Sequence, residues 1–137
     1  MSFALLLAAT LQSVEPIDLP ALDAAIERCE RATILPIFAA EARRRSAAVT
    51  AFYQEQVQIV AERVATADRR RALRESPSTP PEAPAASDQT LALRQLALDD
   101  RQRALDDQRR LETMRQEAVD LKRQYFLMRC PADRKPG

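Results

Sequence analysis

An all-α fold, two long helices laid against each other as an antiparallel, coiled-coil-like hairpin, is predicted by three features of this 137-residue sequence. Its single glycine is the last residue, so no internal position suits the φ > 0 turns of β-hairpins or phosphate loops. Apolar residues recur in steps of three and four along two long stretches, the period of one helix face. Four prolines cluster between those stretches, where the chain can turn back.

Residues 1–13 read as an export signal. Phe3 to Leu11 is an uncharged apolar run of nine, the length of a secretory signal core, and Ser13 is a small residue at a suitable cleavage point. Met1-Ser2 carries no basic residue and Leu11 sits where a small residue is preferred, so a buried N-terminal helix is the alternative. The run is shorter than the roughly 20 apolar residues that span a bilayer. Residues 14–20 form a lead-in, in which Asp18 can cap a helix and Pro20 fits a first turn.

The first long helix is expected over residues 21–75. Val49, Tyr53, Val57, Val60, Val64 and Ala67 mark its apolar seam, and Pro36 should kink or split it by deleting one backbone hydrogen bond. Residues 76–87, with the four prolines and no large apolar side chain, form an extended connector. The second helix is expected over 88–130, with a seam of Leu111, Met114, Ala118, Leu121, Tyr125 and Met128. Its first half instead repeats every seven residues at Leu91, Leu98 and Leu105. The step from Leu105 to Leu111 is six, so the packing should loosen near 105–111. The polar, proline-bounded tail 131–137 should be flexible.

Cys29 and Cys130 are too far apart in sequence for a Cys-x-x-Cys redox or zinc pair. Their midpoint, 79.5, falls in the connector. Folding back there makes residues whose numbers sum to about 159 face each other, which sets Cys29 beside Cys130. The same register places Ile34 near Tyr125, Phe38 near Leu121, Val49 near Leu111 and Val60 near Leu98. A disulfide closing so long a loop stabilises by about 4 to 5 kcal/mol through lost unfolded-chain entropy. It needs an oxidising compartment, here a bacterial periplasm or the cell exterior. The alternative is a cytosolic coiled-coil adaptor with two free thiols.

Composition excludes much chemistry. With no histidine, the commonest general base and metal ligand are missing, and no serine, threonine or cysteine has an identifiable base. The expectation is a non-enzymatic protein with no cofactor, no metal and no small-molecule substrate. Asp99-Asp100 and Asp106-Asp107 share one helix side, but neighbouring arginines make that side a solvated salt-bridged face. The net charge is +1, with both signs mixed along the chain, so nucleic acid is not an expected partner. The basic residues are arginines apart from Lys122 and Lys135, a composition typical of GC-rich bacterial coding.

Two groups remain as candidate contact residues. Arg43, Arg44, Arg45, Arg69, Arg70, Arg71 and Arg74 are candidate anion contacts, for instance at a membrane surface, against the simpler reading of side chains snorkelling over the seam. Phe52 and Phe126 neighbour seam residues and are candidate partner-facing apolar groups, while Phe38, Tyr53 and Tyr125 belong to the core. A protein partner or self-association is therefore expected, in a structural, interaction or chaperone-like role in the bacterial envelope. In shape alone this plan is similar to that of periplasmic holdase chaperones and envelope coiled-coil proteins.

Overall fold

The computed structural model describes residues 17–75 and 88–132, so the expected export signal at 1–13, the expected connector 76–87 and the tail from 133 lie outside the described residues. The described chain is all helical, in three helices: α1 (Leu19–Glu27), α2 (Arg31–Glu75) and α3 (Asp88–Arg129).

The first helix starts two residues before the expected position. Asp18 caps it, its carboxylate accepting from the Ala21 N–H at 3.1 Å, and Pro20 sits in the first turn, where no hydrogen bond is lost. The break expected at Pro36 falls instead at Arg28–Glu30, and Pro36 lies inside α2. Backbone geometry explains the shift. The Cys29 N–H donates to Ile26 O and the Glu30 N–H to Ala25 O, both at 3.0 Å, the pattern of a Schellman stop. That stop requires a left-handed residue, and Cys29 supplies it at φ 51°. A non-glycine residue there costs about 1–2 kcal/mol. Pro36, near the start of a 45-residue helix, removes a single donor that the surrounding turns outweigh.

The apolar core lies at this end of the molecule. Leu22, Ala25 and Ile26 of α1, spaced to share one face, pack with Ile34, Phe126 and Cys130. Phe38 meets Phe126 with ring centroids 5.9 Å apart, and the Arg31 guanidinium lies 5.2 Å from the centre of the Phe126 ring. Cys29 and Cys130 are joined by a disulfide, with Cα atoms 5.6 Å apart.

Along the rest of their length α2 and α3 meet through side chains in opposite sequence order. Arg45 pairs with Asp120 at 2.7 Å, Gln56 with Gln102 at 3.0 Å, Arg63 with Asp99 at 2.8 Å and Arg70 with Asp88 at 3.3 Å. These pair numbers sum to between 158 and 165, close to the expected register.

The seam itself is not the expected one. Val49, Tyr53, Val57, Val60 and Val64 of α2, and Leu111, Met114, Leu121, Tyr125 and Met128 of α3, are all exposed, from 42% for Tyr125 to 76% for Met128. Buried in their place are Ile34, Ile59 and Thr66 on α2 and Leu91, Leu98, Leu105, Val119 and Phe126 on α3. The α3 series runs in unbroken steps of seven once Glu112 is counted, so the inner stripe does not jump between 105 and 111. Register is the reason. With Cys29 against Cys130, the stripe from Leu111 to Met128 stands across from 31–48 and not from the valines, while opposite Val49 to Ala67 the first half of α3 sets Leu91, Leu98 and Leu105 among Asp99 and Arg101, which pair inward with Arg63, Glu55 and Glu62. Neither stripe meets the other, and the helices turn their complementary charges and the leucine heptad inward.

Candidate functional site

The α2–α3 contact holds a buried charge cluster, set toward the disulfide end. Extending the leucine heptad by one step places Glu112 on the inner side of α3, and Glu41 occupies the corresponding place seven residues after Ile34 on α2. Arg44 reaches between them. Its Nε and Nη2 donate to Glu41 at 2.9 and 2.7 Å, and its Nη1 donates to Glu112 Oε2 at 2.9 Å while Nη2 meets Glu112 Oε1. Arg44 is 8% exposed and Glu41 4%. Hydrogen bonds to Glu41 and then Glu112 raise the Arg44 pKa. The hydrogen bond from Arg44 holds the Glu112 carboxyl below the usual carboxylate value. Burial pushes Glu41 upward, but Arg44, Arg115 and Arg45 together bring it below the usual value. Arg115 closes the cluster, with Nη1 3.6 Å from Glu112 and a buried Nη2 that makes no hydrogen bond to a described residue. The arrangement neutralises charge internally and presents no open nucleophile or proton donor.

The candidate anion contacts are therefore divided. Arg44 is inside the cluster, and Arg45 is held by Asp120, by the Gln116 carbonyl at 3.1 Å and by Glu41 at 3.4 Å. Arg70 pairs with Asp88, and Arg71 with Asp68 at 3.4 Å. Arg43, Arg69 and Arg74 remain exposed without an ion pair to a described residue. Asp99, Asp100, Asp106 and Asp107 pair with Arg63, Arg103, Arg109 and Arg110 in turn. Among the described residues no cluster of three or more potential metal ligands occurs.

The two phenylalanines also separate. Phe126 does not face a partner: it is 1% exposed, at the heptad position that packs on Ile34 and Phe38. Its neighbours Tyr125, Leu127 and Met128 are exposed instead. Phe52 is half-buried and lines an open groove of about 510 Å³ between α2 and α3, with Ala51, Ala104 and Leu105.

The outer face of α2 has an unusual composition. Between Ser46 and Ala67 every exposed residue is Ala, Val, Ser, Thr, Tyr or Gln, in a chain of which 30% is charged. The three charged residues of that span, Glu55, Glu62 and Arg63, are half-buried and turned to α3. Glu55 and Glu62 hold Arg101 at 2.9 and 2.8 Å, and Arg63 holds Asp99. Those bonds raise the Arg101 pKa, the one to Glu62 most. This segment is thus inside out, with charges inward and valines outward. The outer face of α3 keeps charges among its apolar residues, including Arg103, Asp107 and Arg110.

The valine periodicity was visible in the sequence, but its direction was not. The charge cluster could have been found by continuing the Leu91–Leu98–Leu105 repeat through Glu112. No known protein family matches this chain, and neither does any curated protein or solved structure.

Proposed function

We propose that this chain is a disulfide-stapled antiparallel helical hairpin, exported to an oxidising compartment, that works through protein–protein contact and carries out no catalysis. The observation that supports this reading is the uncharged, valine-lined outer face of α2 between Ser46 and Ala67. Solvated helices place charge outward, and a contiguous apolar face marks a contact site. The disulfide between Cys29 and Cys130 favours an oxidising compartment, and no described helix is long and apolar enough to cross a membrane.

A photo-crosslinking side chain placed at Tyr53 in the producing cell tests the reading. Covalent protein adducts are expected at Tyr53 and not at Asp107 on the charged side of α3. Adducts at neither position refute it. The second reading, anion binding, rests on Arg43, Arg69 and Arg74, which lie exposed at the two ends of the uncharged face with no ion pair to a described residue. Sedimentation with anionic vesicles that is lost on adding salt would favour it, and indifference to the vesicles removes it.

A further inference from the structure

We infer that the uncharged face of α2 is a two-fold contact with a second copy of this chain, the two α2 helices crossing it in opposite directions. The inference rests on the contact function proposed above and names its partner.

Charge narrows the choice first. A partner that set an ionised side chain against this face would leave it buried without a counter-ion, so the opposing surface must be uncharged. The outer face of α3 cannot serve, because Arg103, Asp107 and Arg110 interrupt it. The extended uncharged outer face that the described chain does offer is that of α2 itself.

Spacing supplies the second argument. Tyr53, Val57, Val60 and Val64 step by four, three and four, a pattern that reads the same in both directions. Two α2 helices related by a two-fold axis between Val57 and Val60 set Tyr53 against the second copy's Val64, and Val57 against its Val60. An isologous contact demands this self-complementarity. The four-three spacing is also that of a coiled-coil seam. Ala61 and Ala65 flank the stripe and let the helix axes approach toward the near end of the usual 8–10 Å range. Gln58, beside the axis, carries both donors and acceptors, so its amide can pair with its like across the axis. At the ends, the same register sets Val49 across from the second copy's Asp68, whose charge Arg71 balances, and Arg43 beside both Arg74 and Glu75, which leaves little net repulsion.

Size sets the strength. In this register the two uncharged faces overlap from Thr50 to Ala67, a span about 27 Å long at about 1.5 Å per residue, and a helix face is about 10 Å wide. That is smaller than the roughly 800 Å² per partner of a standard interface. Association is therefore weak and reversible.

Sedimentation equilibrium of the oxidised full chain over about 1–500 μM tests this. The expected result is a monomer–dimer equilibrium whose dissociation constant rises about 100-fold or more with Val57→Glu and Val60→Glu together, and is unchanged by Leu121→Glu on α3. Circular dichroism is to show that each variant keeps its helix content, as exposed positions permit. In a mixture, Val57→Cys chains should cross-link to Val60→Cys chains in preference to their own kind. A chain that stays monomeric throughout, a dimer untouched by the double glutamate variant, or preferential like-with-like cross-linking would each overturn the inference. A monomeric chain whose Tyr53 still yields adducts to another protein refutes self-pairing alone, whereas loss of both results refutes the contact function as well.

Discussion

Removing Glu112 tests whether the charge cluster holds α2 and α3 together. In Glu112→Ala, Arg44 loses both of its bonds to α3 and keeps those to Glu41 on its own helix. Each lost bond joins two charged groups whose side chains are 8% and 13% exposed, and such bonds contribute about 1.5–3 kcal/mol net. Arg115 also loses its nearest carboxylate, at 3.6 Å. Partial access of water to the Glu112 side offsets some of this, so the expected loss is about 3 kcal/mol, at the lower end for breaking a buried pair. For a chain of this length that lowers Tm by about 10 °C. Urea unfolding followed by far-ultraviolet circular dichroism, with the disulfide intact, is the assay. A loss below about 1 kcal/mol would show that the cluster behaves as a solvated surface pair and would refute the reasoning. Replacing Glu41, Arg44, Glu112 and Arg115 together by leucine should leave stability unchanged or raised, because the desolvation cost of four charges disappears with their attraction.

Three further outcomes follow from the same geometry. The Glu41 and Glu112 carboxyls lie below the ordinary value of 4.5, so near pH 4 the unfolded chain binds more protons than the folded one. Their contribution is complete above about pH 4.5 and lost as pH falls through the depressed values; acid titration of stability should be shallower in Glu112→Gln, and an unchanged profile would contradict the shift. Without the disulfide, Cys29→Gly with Cys130→Ala should be about 1 kcal/mol more stable than Cys29→Ala with Cys130→Ala, because only glycine takes φ 51° without cost. Equal denaturation midpoints would place the α1 stop elsewhere. Phe126→Ala should cost about 3–5 kcal/mol by opening a cavity against Ile34 and Phe38, whereas Met128→Ala two residues on should stay within about 0.5 kcal/mol. Similar thermal losses for both would restore the Met128 seam.

Much of the plan was legible in the residues. The absence of internal glycine and the three-four spacing indicate helices, and the cysteine midpoint gives a pairing number near those of the α2–α3 contacts. Other features were not legible. Pro36 is the conspicuous breaker, yet the chain stops at a cysteine, because a left-handed stop is made by backbone hydrogen bonds, here from Cys29 to Ile26 and from Glu30 to Ala25, that the residue types do not announce. Arg44 looked like one member of a surface triplet. Its burial depends on a glutamate 68 positions away, which no local window contains.

The sequence by itself determined the helical class, the apolar stripe on each helix and the position along the chain at which each helix stands opposite the other. Only the tertiary structure decided which stripe faces inward. Periodicity tells which residues share a helix face, but a face is buried only if its neighbour complements it over the same length. The two valine- and leucine-rich stripes lie at different heights in the register fixed by Cys29 and Cys130. The polar seam, in which Arg44 meets Glu112 and Arg101 meets Glu55 and Glu62, matches along its length, and the valines of α2 are left outward.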